Sequence, residues 1–459
     1  MRPDRCAVVL LTRDLRVHDN PVLAGAARNA ARVLPLFVVD ETLVGSAGAN
    51  RLAFLTGALA DLRTSLRELG ADLVVRRGDP VVEALRIARD VGADAVFSGS
   101  DASAYAQRRE ARLERECRGA RLALHLESTT AAVPPGELAP AERDHYRVFT
   151  PYWRRWREQS PSAAAGPPQR LQLPQGFEPG PLPSLRELTP DRPSMNLPPG
   201  GERAGRRRLE LFLANGLRGY EDGRDDLAAD RTSRLSPYLH FGCLSPVEVV
   251  ARADACGPVA EPFLRQLCWR DFYLQLLAAN PITSADDLHP RPGRWSDDDE
   301  AFECWRNGET GYPIVDAGMR QLHTEGWMHN RTRLIVASFL TKTLGIDWRR
   351  GARVFSDLLV DGDVASNVGN WQWVAGTGVD TRPNRVFNPV AQAKRLDPTG
   401  EYVRRYVPEL AELGGSTVHE PWRAPLVRVA PEYPDRIADY AEATSRVRSL
   451  RSGPRAARA

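Results

Sequence analysis

The sequence predicts an α/β N-terminal domain, a doubly wound parallel sheet, followed by an all-α C-terminal domain. Three observations predict it. Apolar runs alternate with amphipathic stretches over roughly the first 125 residues. Prolines then crowd one stretch, fifteen of the 36 falling between Pro134 and Pro199. Beyond residue 200 the pattern turns helical, with Ser, Thr or Asp starts, Gly or Pro stops and no strand-like run.

Taken in order, the apolar runs at 6–11 (CAVVLL), 33–39 (VLPLFVV), 72–75 (DLVV) and 94–97 (DAVF) read as buried strands. The stretches at 21–31, 51–69 and 80–91 between them have the length of crossover helices. No G-x-G-x-x-G follows the first strand, so a standard dinucleotide site is not indicated there. The proline-rich stretch reads as a linker, although its cluster Tyr152-Trp153-Arg154-Arg155-Trp156 predicts packing. Helices are predicted over 203–215, 246–255, 260–279, 314–325, 329–344 and 364–374. The expected division is 1–130 for the α/β domain, 131–200 for the linker, 201–440 for the helical domain and 441–459 for a basic tail. The last fifteen residues, with five arginines, read as frayed.

Composition bounds function only loosely. Apolar residues make up 42% and charged residues 26%, an ordinary globular balance, and no apolar stretch is long enough for a membrane span. The net charge of +3 does not by itself imply a nucleic-acid partner. Of 62 basic residues only Lys342 and Lys394 are lysines. Arginine suits bidentate phosphate contacts and stacking, but arginine-favouring codon usage gives the same bias. The six cysteines are scattered without C-x-x-C spacing, which argues against a disulfide framework or a metal site and for a reducing cytoplasm.

Three segments place polar and aromatic residues where a plain bundle would want aliphatics. In 263–273, Gln266, Trp269, Arg270 and Tyr273 fall at i, i+3, i+4 and i+7, on one helix face. Such a face can stack a base and contact its polar edge; a snorkelling arginine beside a half-buried tryptophan is the plainer reading. In 326–334, Asn330, Arg333 and Leu334 line up similarly. In 361–373, Asp363, Asn367, Asn370 and Trp371 share a face, with Asp363 open to being an N-cap. TSRLSPY at 232–238 offers hydroxyls and a helix start, either an anion site or ordinary capping.

The wording of these segments decides between the readings. TSRLSPYLHFG, RQLCWRDFY, TGYPIVDAGMRQLHTEGWMHNR, IDWRRGARVFSDLLVDGDVASNVGNWQW and RVFNPVAQ, with LTRDLRVHDNPVL near the start, closely resemble the photolyase/cryptochrome family, most of all bacterial class I cyclobutane pyrimidine dimer photolyases. The resemblance implies an N-terminal α/β domain, a long linker and an all-helical domain that binds FAD. Tyr220 and Thr232, Ser233, Arg234, Leu235 and Ser236 match the segment that grips the FAD phosphates. Arg270, Asn330, Arg333, Asp361, Gly362, Asp363 and Asn367 match residues around the flavin, with Arg333 and Asp361 an ion pair and Asn367 beside N5. Trp295, Trp348 and Trp371 match the tryptophan chain that photoreduces the flavin. Trp269 and Trp373 match the walls of a lesion pocket, and Gln266, Arg270, Tyr273, Asn330, Arg331 and Gln392 match contacts to the lesion or its flanking phosphates.

The resemblance thus implies light-dependent repair of cyclobutane pyrimidine dimers in ultraviolet-damaged DNA, by electron transfer from excited reduced FAD. It implies a cytoplasmic monomer with no membrane, metal or protein partner. Two positions depart from the best-known dimer enzymes: Gln266 replaces a glutamate and Leu334 a methionine. Gln266 is shared with (6-4) photolyases and animal-type cryptochromes, yet (6-4) enzymes need histidines where Asn330 and Leu334 stand. A cryptochrome-type photoreceptor is the main alternative, although the intact pocket tryptophans and the short tail favour repair. The short 40–51 segment is compatible with an 8-hydroxy-5-deazaflavin antenna in preference to methenyltetrahydrofolate.

Overall fold

The computed structural model describes residues 5–159, 166–291, 293–379, 382–383, 385–423 and 430–451, apart from the side chains of 450 and 451. The chain divides into two compact units: Met1–Pro193 with Pro198–Arg218 and Ser233–Ile282, and Ser194–Leu197 with Gly219–Thr232 and Thr283–Ala459. The Gln266–Tyr273 face belongs to the first unit.

The first unit holds a five-stranded sheet in the order β3-β2-β1-β4-β5, every pair parallel: β1 Cys6–Leu11, β2 Arg32–Val39, β3 Val74–Arg77, β4 Ala95–Ser100 and β5 Ala123–Ser128. Helices α1 (Pro21–Asn29), α2 (Glu41–Val44), α3 (Ala49–Glu68), α4 (Pro80–Asp90) and α5 (Ala104–Gly119) make the crossovers. β1 is wholly buried and β2 nearly so, which is why both read as unbroken apolar runs. β5 escapes the sequence reading because it is an edge strand none of whose residues is buried, so ALHLES carries no apolar run. α5 escapes for a related reason: it buries only Ala106, Leu113 and Cys117 under a charged surface.

The proline-rich stretch is pinned over 171–180. Leu171 N–H donates to the Leu69 carbonyl (2.7 Å) and Val75 N–H to the Pro179 carbonyl (2.9 Å), so 171–180 runs along the first unit. The aromatic cluster folds as α6 (Phe149–Arg157), with Phe149, Tyr152, Trp153 and Trp156 buried. After it come α7 (Leu185–Leu188), α8 (Glu202–Leu211), α10 (Ser236–His240), α11 (Pro246–Asp254) and α12 (Glu261–Ala279).

The second unit is helical. It comprises α9 (Tyr220–Gly223), α13 (Asp299–Asn307), α14 (Pro313–Glu325), α15 (Asn330–Ser338), α16 (Trp348–Leu358), α17 (Val364–Ala375), α18 (Pro389–Leu396), α19 (Glu401–Tyr406) and α20 (Tyr440–Arg451). The predicted helix over 329–344 ends in a wide π-helical turn, Phe339–Thr343. Its core gathers Trp305, Tyr312, Phe339, Trp348, Phe355 and Trp371. α20 corrects the expectation of a frayed basic tail from 445: it buries Ala443, Thr444 and Val447 on one face. Residues 452–459 of that tail lie outside the described residues. Among the described residues no helix is long and apolar enough to cross a membrane.

Candidate functional site

In the first unit, α12 is the central element. Gln266, Trp269, Arg270 and Tyr273 share its face, as the periodicity predicts, but their surroundings differ. Trp269 is half-buried and lies flat on Phe149 of α6, ring centroids 3.7 Å apart and planes 4° from parallel. Tyr273 is buried and tilted against Trp269 at 5.7 Å. Arg270 donates to the Thr130 carbonyl and, at 3.3 Å, to the Leu239 carbonyl. Both of its terminal nitrogens thus reach backbone carbonyls.

Behind this face, Asp271 is fully buried and accepts from Ala132 N–H (3.1 Å), Val133 N–H (3.0 Å) and Trp156 Nε1–H (2.9 Å). Burial pushes its carboxyl up to about 6, opposed by Arg270 and by these donors. One turn before Trp269, Arg265 stands over the rings of Phe149 (5.3 Å) and Trp153 (5.7 Å). Neither Phe149 nor Arg265 was legible as functional, because the contacts come from α6.

The TSRLS segment builds a different kind of feature. Arg234 has φ +51°, an uncommon left-handed backbone for an arginine, and Leu235 returns to the right-handed region at φ −87°, ψ −9°. Such alternation turns successive N–H groups toward one side, a concavity suited to an anion. The helix that follows, α10, is only five residues long, and Leu235 N–H at its start donates to Ser233 Oγ at 3.4 Å. Ser233 is held by Arg208 Nε, which donates to its carbonyl at 2.8 Å.

In the second unit, Thr232 donates its hydroxyl to Asp230 (3.1 Å), and Tyr220 is buried, its phenol pushed up to about 12 by desolvation. His329 caps α15 by accepting from Arg331 N–H at 3.2 Å, and burial lowers its imidazole to about 4. Asn330 therefore stands exposed at the first helical position, and Arg331 pairs with Asp225 at 2.6 Å. Arg333 grips Asp361 through two bonds of 2.9 and 3.1 Å while its Nε donates to the Met328 carbonyl at 2.8 Å. The expected ion pair is present, and Asp361 is nearly buried within it. After Gly362, Asp363 is indeed the N-cap of α17, accepting from Ser366 N–H at 2.9 Å.

Asn367 donates its amide to the Ala352 carbonyl (3.0 Å) and to Ser356 Oγ (3.1 Å). With both amide hydrogens engaged, the carbonyl oxygen is the group it offers a ligand. Asn370 bonds back to the Ser366 carbonyl at 2.7 Å, an intrahelical contact. Trp373 is half-buried beneath Arg385 at 5.1 Å, and Gln392 accepts from Arg395 at 3.0 Å on α18.

The three tryptophans form a graded set. Trp371 and Trp348 are 2% and 1% exposed, whereas Trp295 is only partly buried. A side chain at Gly351 would put its Cβ 2.2 Å from Trp371 Cη2, so only glycine lets α16 lie against that indole. A parallel bridge between Ser296 and Ile346 brings the Trp295 strand to the segment that opens α16 with Trp348. Trp348 Nε1–H donates to Asp287 at 2.8 Å, while Trp371 Nε1–H is buried with no hydrogen-bond partner among the described residues.

A second polar cluster lies at the carboxyl ends of the strands, where the order reverses between β1 and β4. Tyr105 donates to Asp40, Arg13 pairs with Asp101 at 2.7 Å, and Asp101 N–H donates to Glu110 at 3.0 Å. Desolvation pushes Glu110 up to about 7, and Arg109 Nε is buried with no hydrogen-bond partner among the described residues.

Comparison with known proteins covers both units. A family described as DNA photolyase matches residues 7–172, and the FAD binding domain of DNA photolyase matches 263–452. The deoxyribodipyrimidine photo-lyase of Streptomyces griseus is 50% identical over 97% of this chain and 99% of its own length. That of Escherichia coli is 36% identical over 96% and 97%. A cryptochrome DASH of Natronomonas pharaonis is 38% identical over 94% and 98%. The crystal structure of a class III photolyase from Agrobacterium tumefaciens superposes with a TM-score of 0.92, at 34% identity and 97% coverage of each chain.

Proposed function

The chain belongs to the DNA photolyase family, and from that membership we propose that it performs light-dependent repair of cyclobutane pyrimidine dimers in DNA. The observation that carries the reading is the full-length likeness to the Streptomyces griseus deoxyribodipyrimidine photo-lyase. FAD, when bound and reduced, supplies the excited-state electron that opens the dimer. The donor set suits such a cofactor. The backbone concavity at Arg234 and Leu235 would take its phosphates, and the Arg333–Asp361 pair would lie along its ring system. The free carbonyl oxygen of Asn367 would accept from a flavin N–H, which favours the reduced form.

Trp295, Trp348 and Trp371 would carry electrons inward when that form must be restored. Trp269 of the first unit and Trp373 of the second would each offer a ring face to an extruded base, and a dimer's poor stacking makes its extrusion cheaper than the few kcal/mol of an intact base. Gln266, Arg270, Tyr273, Asn330, Arg331 and Gln392 would contact the lesion or its phosphates. For a (6-4) substrate a proton donor is needed near Asn330. His329, the neighbouring histidine, is occupied capping α15 and is held neutral by burial. The assay is dimer loss per absorbed photon on a thymine-dimer oligonucleotide beside a (6-4) oligonucleotide. Activity on the (6-4) substrate alone would overturn the substrate reading. Illuminated protein that binds FAD but restores no transformation by ultraviolet-damaged plasmid would favour the photoreceptor alternative, which the cryptochrome DASH likeness keeps in view.

An antenna chromophore would sit in the first unit. The cluster of Asp40, Tyr105, Arg109 and Asp101 at the strand ends supports it, since Arg109 Nε is a buried donor awaiting an acceptor. The short turn between α2 and α3 suits an 8-hydroxy-5-deazaflavin. The absorbance spectrum of protein purified from its native host tests this, and a folate spectrum would refute it.

A further inference from the structure

We propose that Phe149 is a positioning residue for Trp269, fixing the plane of the indole on which an extruded pyrimidine stacks; this rests on the reading of Trp269 as a wall of the lesion pocket. The two rings are 3.7 Å apart and 4° from parallel. Phe149 is buried, whereas Trp269 is half-buried, so the stack joins the core to the surface. A phenyl ring covering one indole face removes the indole's freedom to turn and leaves the other face as the stacking surface. Preorganisation of this kind raises affinity because less side-chain freedom remains to be lost on binding.

Phe149 is itself held by α12. Tyr146, just before α6, is clamped by Gln275, which accepts from its N–H (3.0 Å) and donates to its carbonyl (2.7 Å). Farther along α6, Trp156 donates to Asp271 at 2.9 Å. Phe149 also meets Phe272 edge-on at 5.7 Å. The helix that carries Trp269 therefore also fixes the ring that backs it, and the orientation is built into the fold before DNA arrives.

The test uses the FAD-loaded protein in the dark, with affinity for a thymine-dimer oligonucleotide measured beside that for the undamaged duplex. Phe149→Leu should weaken dimer binding roughly three- to tenfold, the worth of one aromatic pair. Binding to undamaged DNA, the salt dependence and FAD content should stay unchanged, and Phe149→Tyr should restore affinity. In a Trp269→Ala background Phe149→Leu should cost nothing more, because its effect passes through the indole. An equal loss in both backgrounds, or equal losses on damaged and undamaged DNA, would overturn the proposal. So would a reduced salt slope, which would show Phe149 acting on Arg265, whose guanidinium shares its ring. If Trp269→Ala alone binds dimers normally, the pocket reading fails first and takes the proposal with it. Should Phe149→Leu lose its fold, Phe149→Met carries the same comparison.

Discussion

Trp269 on α12 and Trp371 on α17 are tryptophans of the two units set in opposite surroundings. Trp269 keeps part of its ring at the surface and is steadied by a parallel partner, Phe149. Trp371 is 2% exposed, meets Phe355 edge-on at 5.0 Å, and lies against a glycine that admits no side chain. Under the proposed function, the first would receive a flat ligand and the second would pass an electron through a packed interior. The difference teaches that residue type alone does not assign a role; the second ring beside each indole does.

Breaking the buried member has the largest expected effect. Trp371→Phe should reduce light-driven reduction of oxidised flavin to its background rate while chemically reduced protein repairs nearly normally. Equal loss of both activities, followed by absorbance and dimer assay, would erase the contrast between relay and pocket. Next comes Trp269→Ala, expected to weaken dimer binding by about 1–3 kcal/mol with an unchanged salt slope, as stacking does. Arg270→Ala should instead lower the slope of log K against log salt by about 1, the signature of one phosphate contact. Matching slopes in the two variants would show that the surface tryptophan and its neighbour do not divide stacking from charge.

The same pair of units should respond to pH in opposite senses. Burial raises Asp271 of the first unit from 3.8 to about 6, so its contribution to stability is fullest below pH 4 and is lost as pH rises through 6. Burial lowers His329 of the second unit from 6.5 to about 4, so its contribution is fullest above pH 6.5 and is lost as pH falls toward 4. Shifts of this size correspond to about 3 kcal/mol each. Denaturant unfolding between pH 4 and 7 should show Asp271→Asn and His329→Gln changing the slope in opposite directions; a common direction would refute the assignment. The smallest effect is expected at Gln266. Gln266→Glu should keep substantial dimer repair, since a carboxyl can donate when protonated or accept from a thymine N3–H when ionised. Gln266→Leu, which leaves lesion polar groups unpaired, should lose binding or quantum yield. Full activity in Gln266→Leu would remove any polar role from that face.

What proved legible followed from local periodicity and local chemistry. β1 and β2 are continuous apolar runs because both faces of a parallel strand are covered, and the Gln266–Tyr273 face follows from 3.6 residues per turn. Asp363 read as an N-cap because capping is a contact between residues three apart. β5 and α5 were missed because their exposure breaks the periodic signal, and α20 because arginines on its outer face masked Ala443 and Val447.

By itself, then, the sequence determined the buried strands and the strongly periodic helices, the faces those helices present, and through its motifs which family they compose. Only the tertiary structure decided what each functional side chain leans on: Phe149 against Trp269, Gly351 against Trp371, Asp287 on the indole of Trp348, and Asp271 holding Trp156 from 115 positions away. The physical reason is that periodicity constrains neighbours within a turn or two, whereas contacts between distant elements depend on how whole helices pack, and no local pattern encodes that choice.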